Sequence, residues 1–522
     1  MPGQLALILH AHLPFVRHPE HEHFLEEDWL FEAITETYVP LLQMMERLVN
    51  DNVPFKLTMS LTPTLCAMLL DELLRQRYVR HLDLLIDLAA RERKRNQDQP
   101  ELAALSQFYF ELFSASRRFF VDEWKCDLLT AFRQLRERGV LEIIACAATH
   151  GLLPLIQEQS KEAARAQVLI GRDAYVDLFD VDPTGFWLPE CAYAPGLDPI
   201  LQEANVRWFV LDTHGLLFGT PSPRRAIYAP CYTPAGPAAF ARDRDSSRQV
   251  WSAEEGYPGD PAYREFYWDV GFDLPLEHLG PVARGFRKFS GVKYHRITDR
   301  KKEKQLYDRA AAEKAAEAHA AHFLEQRRAQ FRQLRDVQPI VVAPFDAELF
   351  GHWWFEGPLF LELFIRKAAF DQKDFCLTAP SEYLAAHPTQ QTIEPAASSW
   401  GDKGHLEVWI DKNNSWIYPH LHAAAQRMTR LARENVHGVS AAADCILKQL
   451  ARELLLTQAS DWAFLMRTGT AREYATKRTL DHLTRFNKLH DQFAAGRLDE
   501  KFLADCEWRD NLFPNLNWRH YV

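Results

Sequence analysis

The sequence predicts an α/β fold: a distorted (β/α)7 barrel of about seven parallel strands, carrying an inserted helical subdomain and followed by an all-helical C-terminal domain. Three observations predict it. Short apolar runs recur through the first three quarters of the chain, and each ends in polar or small residues. Helical periodicity fills most of the gaps between them, for example over 26–50 and 161–179, which is the alternation that builds a parallel sheet. After Trp400 the strand signal stops.

The runs follow in order. Residues 5–9 precede His10-Ala11-His12, 54–59 precede Ser60, and 141–148 precede Thr149-His150-Gly151. Residues 185–188 precede Glu190, 208–211 precede Asp212-Thr213-His214, and 339–343 precede Asp346. Residues 375–377, before Ser381-Glu382, supply the seventh. Polar groups gathered after strands mark a barrel whose site lies at the C-terminal face.

Other segments interrupt the alternation. Residues 82–140 are charged and helical with Phe-rich faces (Phe108, Phe113, Phe119, Phe120) and read as the inserted subdomain. Residues 220–260 are rich in Pro, Gly, Ser and Arg, and a loop of that length in a compact domain is usually functional, here a lid. Within it, 230–259 is expected to fold beside Glu190 and Asp346, with Tyr232 and Trp251 as plugs and Gly236 and Gly256 as hinges. Residues 299–336 form a long Ala-, Glu-, Lys- and Arg-rich helix with a solvated charged face. Helical patterns over 421–455 and 472–493 complete the chain. The expected division is a catalytic barrel over 1–395 and a helical domain over 396–522.

Composition narrows the function. A net charge of −10 without a dense basic block argues against nucleic acid and anionic membrane surfaces as partners. The eight cysteines are scattered with no CxxC pair, which argues against a zinc ribbon or a disulfide framework. No signal-like or membrane-spanning run is present, so the expectation is a cytoplasmic protein. The sequence leaves monomer and homo-oligomer open. Phosphate-binding glycine loops and the GxSxG elbow are missing, so no nucleotide or other cofactor is expected.

The chemistry concentrates in 343–358. Asp346 and Glu348 end a strand and are followed at once by His352, Trp353 and Trp354. Indole rings stack on the apolar faces of pyranoses and exclude water, which raises a carboxyl pKa toward acid catalysis. Glu190, at a second strand exit, supplies the other carboxylate a glycosidase needs. His10, His12, His150 and His214 all follow strands. They are read as hydrogen-bonding sugar hydroxyls or orienting a carboxylate, in preference to holding a metal with Asp212 or Asp346. Trp400, Trp409 and Asp461 lie in or near turns of the C-terminal part.

In order, His10–Pro14, Thr149–Pro154, Trp187–Tyr193, Pro344–Trp354 and Ala397–Gly401 resemble the five motif regions of glycoside hydrolase family 57. The resemblance implies that Glu190 is the nucleophile and Asp346 the acid/base of a retaining mechanism. Within the family the chain looks most like the branching enzymes, from Asp346-Ala347-Glu348-Leu349-Phe350-Gly351-His352 and Ser460-Asp461-Trp462 among other strings. That likeness implies an α-glucan partner and transfer of a cleaved α-1,4 chain to a 6-hydroxyl. It also implies aromatic glucan contacts at Trp29, Trp400 and Trp409, beside Trp353 read above from the residues themselves, and a loop Tyr, for which Tyr232 is preferred over Tyr228. Tyr294 stands where such enzymes often carry Trp, a departure that would weaken acceptor binding. The alternatives are a hydrolase or 4-α-glucanotransferase on the same scaffold, or a non-catalytic glucan-binding protein.

Overall fold

The computed structural model describes residues 2–252, 255–298, 303–334 and 338–522. Nine strands are numbered in chain order: β1 (Gly3–Ala11), β2 (Leu57–Leu61), β3 (Leu141–Cys146), β4 (Gly185–Trp187), β5 (Trp208–Leu211), β6 (Cys231–Tyr232), β7 (Ala238–Ala241), β8 (Ile340–Asp346) and β9 (Phe375–Leu377). The parallel path runs β7-β5-β4-β3-β2-β1-β8. Arg242 forms a parallel bridge to Val342, and the Asp243 N–H donates to the Val342 carbonyl at 2.7 Å. That contact brings β7 back to β8 and closes a ring of seven strands, the (β/α)7 architecture.

Membership of the ring differs from the sequence expectation. β9, expected as the seventh strand, pairs only with the start of β1. The seventh strand is β7, which lies inside 220–260 and so is not part of a lid. Ala238-Ala239-Phe240-Ala241 is fully buried, but alanine has weak strand propensity and the run is short, so its signal is faint.

Alternation along the strands builds the barrel interior. Ala6, Ile8, Ile144, Cys146, Trp187 and Val342 share one buried cluster, with Trp208, Val210 and Phe240 beside them. Leu5, Leu7 and Leu9 face the other way, into the layer that packs against helices. Continuing each inward series by two or four residues past the last apolar member reaches His10, Asp212, Arg242 and Asp346. The pleat itself therefore aims these polar groups into the barrel mouth.

Between β2 and β3 the chain forms helices Glu72–Arg95, Pro100–Arg118 and Leu128–Glu137. Asp71 and Asp127 cap the first and third by accepting from the N–H groups of Leu74 and Thr130. The charged helix occupies Arg309–Gln333; the ends of the expected span, 299–302 and 335–337, lie outside the described residues. The C-terminal helices are Tyr418–Asn435, Ala441–Thr457, Ser460–Thr468, Arg472–Ala494 and Glu500–Arg509. Backbone bonds stitch this region to the barrel loops: Ser460 N–H to His150 O at 3.0 Å, and the reciprocal Tyr193–Ser398 pair at 2.9 and 3.1 Å.

After β8 the chain turns sharply at Gly351, at φ +120°, where a Cβ would sit 1.8 Å from the Glu36 carbonyl oxygen. Gly351→Ala is expected to destabilise the fold by about 2–4 kcal/mol through strain and overlap. Gly236→Ala, with nothing within 4 Å of its Cβ, meets the strain alone and should cost less. Equal unfolding midpoints for the two variants would show that the close approach carries no energy.

Candidate active site

A pocket of about 570 Å³ opens at the C-terminal ends of the barrel strands. Glu190 and Asp346 both line it, with His10, His12, His150 and Glu348 on its walls. A larger groove, about 810 Å³, runs along 170–178 and 511–517. There Asp71 is already held by Arg17 at 2.9 Å and Asn511 at 2.9 Å, and no pair of buried acids faces the space, so the chemistry belongs to the barrel mouth.

Glu190 follows β4 in a left-handed backbone conformation, φ 62° and ψ 23°. His150 is also left-handed, at φ 57°. Such geometry costs a non-glycine residue on the order of 1–3 kcal/mol and persists only when its surroundings fix it. Here they do. The Trp400 N–H donates to the Glu190 carbonyl at 3.0 Å, and the carboxylate accepts from Trp400 Nε1 at 2.9 Å and Ser460 Oγ at 2.8 Å.

The donor to Glu190 sets the direction of a longer chain of hydrogen bonds. With the Ser460 hydroxyl proton on Glu190, its oxygen accepts from His150 Nδ1 at 2.9 Å. His150 Nε2 is then an acceptor and takes the proton of His10 Nε2 at 3.0 Å. Both imidazoles are neutral in this arrangement. Burial independently pushes His10 and His150 well below the usual histidine pKa, helped by the charge of His12. The relay ends on Glu190 and stabilises its ionised form.

His12 has the opposite character. It stacks on His150 at 3.9 Å, and Nε2 lies 3.0 Å from both oxygens of Asp461, with Nδ1 3.0 Å from Thr62 Oγ1. Burial opposes its charge, but the Asp461 carboxylate outweighs it and raises the pKa.

Asp346 is pushed well above the usual carboxyl range by burial, then by the charges of Glu348 and Glu190, with Arg242 only partly offsetting them. No hydrogen bond reaches its side chain among the described residues. Glu190 is raised too, chiefly by burial, but its bonds to Trp400 and Ser460 pull it back. The two acids therefore ionise in order, Glu190 first. Glu348 accepts from the Tyr38 hydroxyl at 2.5 Å and the His12 N–H at 3.1 Å, and burial lifts it to about 7.

Most residues picked out from the sequence converge here. Trp353 and Trp409 line the pocket, the first half-exposed and the second buried. Asp461 and Trp400 also line it. His214 stands behind, between Asp212 (3.0 Å) and the Gly404 carbonyl (2.7 Å), and orients the Asp212–Arg242 pair instead of meeting the pocket. Trp29 does not line the pocket; it packs edge-on to Tyr474 at 5.7 Å.

Tyr232 is a correction. It pairs with Ala238, the first residue of β7, which is the barrel end away from the site, and its hydroxyl donates to the Pro388 carbonyl at 2.9 Å. From the same segment, Arg242 and Trp251 do line the pocket. Tyr294 does not line the pocket either: it is buried under the inserted helices, bonded to Glu92 at 3.0 Å and Ser106 at 3.0 Å. The sequence reading gave no site role to Ser460, which it quoted only within a motif string, or to Arg242. Ser460 adjoins Asp461, and the inward parity of β7 points to Arg242.

His12, His150 and Asp461 lie close enough together to hold a metal ion, a different set from the His10/His12 pair weighed from sequence. In this structure the Asp461 oxygens face His12 Nε2 at 3.0 Å, and His150 Nε2 faces His10 at 3.0 Å.

Comparison with known proteins agrees with this geometry. The chain matches the model of glycosyl hydrolase family 57 over residues 6–396, and that of the 1,4-alpha-glucan branching enzyme C-terminal region over 420–521. It is 33% identical to the 1,4-alpha-glucan branching enzyme TK1436 of Thermococcus kodakarensis, over 100% of this chain and 79% of that protein. The novel alpha-amylase AmyC from Thermotoga maritima superposes with a TM-score of 0.92 at 44% identity, covering 100% and 99% of the two chains. The GH57-type branching enzyme from Pyrococcus horikoshii gives 0.89 at 33% identity, covering 100% and 97%. The chain belongs to glycosyl hydrolase family 57.

Proposed function

We propose that the chain is a retaining 1,4-α-glucan branching enzyme in which Glu190 is the nucleophile and Asp346 the acid/base. One observation carries the reading: two partly buried carboxyls line one pocket, one hydrogen-bonded so that its ionised form is favoured, the other without a donor among the described residues and repelled by neighbouring acids so that its protonated form is favoured. That division of roles is what double displacement requires.

In the first step Glu190 attacks the anomeric carbon of an α-1,4-linked glucosyl unit while Asp346 protonates the departing oxygen. The Ser460 and Trp400 donors hold the carboxylate in place. Asp346, now ionised, then takes the proton of a glucan 6-hydroxyl, which attacks the glycosyl-enzyme and forms an α-1,6 branch. Trp353, Trp400 and Trp251 offer ring faces around the cleaved bond, and Asp461 and His12 offer polar contacts to sugar hydroxyls. No helix among the described residues is long and apolar enough to cross a membrane. With eight unpaired cysteines, we place the enzyme in the reducing cytoplasm, building a glycogen-like polymer.

Hydrolysis is the second reading, and two observations favour it: the likeness to an alpha-amylase at 44% identity, and a Tyr232 that cannot shield the intermediate from water. Iodine staining of treated amylose, read with reducing ends and debranching, separates the two. Branching lowers the stain with little gain in reducing ends and creates debranching-sensitive links; hydrolysis raises reducing ends in proportion. Glu190→Gln and Asp346→Asn should each abolish turnover while leaving glucan binding largely intact. Near wild-type activity in either would overturn the assignment.

Glu348 controls how long Asp346 stays protonated as pH rises. Its negative charge, present above about pH 7, resists ionisation of Asp346. Glu348→Gln should therefore move the alkaline limb of the kcat/KM profile to lower pH by about one unit. An unmoved limb would show that Glu348 only packs.

A further inference from the structure

A line of aromatic rings leaves the pocket through Trp353. Trp353 is 52% exposed and stacks on Phe266 at 4.4 Å and 28°. Phe266 meets Phe289 at 5.6 Å and Tyr267 at 4.9 Å, and Phe289 meets Phe272 at 5.0 Å. Tyr267 is 69% exposed and Phe272 44%. A contiguous exposed patch of this kind marks a binding surface more often than chance.

The fold holds these rings out with buried charge. Lys293 is buried, with Nζ 4.2 Å from the centre of Phe266 and 5.1 Å from that of Phe289. The Tyr109 hydroxyl, from the inserted helices, donates to the Lys293 carbonyl at 2.6 Å. Buried Asp269 accepts from Gly271 N at 2.7 Å, Ser290 N at 2.9 Å and Ser290 Oγ at 2.6 Å through one oxygen, and from Gly291 N at 2.9 Å through the other. Those four bonds staple the turn carrying Phe272 to the strip carrying Phe289. A Cβ on Gly271 would lie 1.9 Å from the Lys288 carbonyl oxygen, so the two backbones touch. Burying a lysine and an aspartate is expensive, and rings free to collapse would pack inward instead. Rigid, solvent-facing rings lose little entropy on binding a ligand.

We propose that Trp353, Phe266, Phe289 and Phe272, with Tyr267, form a glucan-binding track that takes the part of an α-glucan chain lying beyond the pocket. Continuity with the pocket through Trp353 argues for the polymer over a protein partner: a chain held in the pocket and leaving over that rim meets these rings next. The identity of the polymer rests on the proposed function; the existence of the track rests on the rings.

The test compares wild type with Tyr267→Ala, Phe272→Ala and the double variant, none of which touches the catalytic groups. Mobility in amylose-containing gels, KM and kcat on long amylose and on maltoheptaose, thermal midpoint and solution mass are measured. The double variant should bind long amylose about tenfold more weakly with unchanged kcat on maltoheptaose and an unchanged midpoint. Unaltered amylose affinity and KM in a wild-type-active enzyme would overturn the track alone. Conversion of a wild-type dimer to monomer without an effect on amylose would assign the patch to a protein interface and overturn it too. A wild type that neither binds nor turns over any α-glucan would overturn both the track and the function.

Discussion

Glu190 is fixed by donors that do not come from the barrel carrying it. Trp400 and Ser460, beyond the last strand, give the two side-chain bonds to its carboxylate, and Trp400 also holds its backbone. Without them a left-handed glutamate at the end of β4 would relax and its charge would be buried unpaired, a loss of several kcal/mol. The C-terminal helices are therefore part of the site. The backbone bonds from Ser460 to His150 and from Ser398 to Tyr193 serve the same end, because they set where those donors stand.

From that arrangement the electrostatics follow. Several carboxyls crowd one pocket, and they do not all ionise with equal ease. The site separates them by what each one touches. Glu190 receives a relay of imidazoles through Ser460, Asp461 is paired with His12, Glu348 is held by Tyr38, and Asp346 is left with burial and repulsion. The same stack of His10, His12 and His150 thus holds two imidazoles pushed toward the neutral form and one pushed toward the charged form.

Much of this was legible in the sequence because strand parity is legible. Alternation places His10 after Ala6 and Ile8, and Asp346 after Val342 and Pro344, on the inward face, and the motif strings agree with it. The fold class and the two acids follow. What was hidden has specific causes. β7 is four residues of Ala and Phe whose burial, not its propensity, makes it a strand, so the segment around it read as a lid and Tyr232 as its plug. Tyr232 in fact pairs with the first residue of β7, and its partner Pro388 is 156 positions away. Ser460 gained its role from tertiary approach, which local pattern does not encode, and Arg242 could be read from inward parity only once β7 was known to be a strand. The buried lysine and aspartate under the aromatic track look like ordinary surface residues in the sequence.

The central claim is that Glu190 becomes covalently linked to the sugar while Asp346 manages the proton. Incubation with an activated 5-fluoro glycosyl fluoride of α-configuration, followed by intact mass and peptide mapping, tests it most directly. The account predicts a stoichiometric adduct on the peptide containing Glu190, at the Glu190 side chain. An adduct on a different carboxylate, or turnover of the reagent with inversion at the anomeric carbon and no adduct, would contradict it.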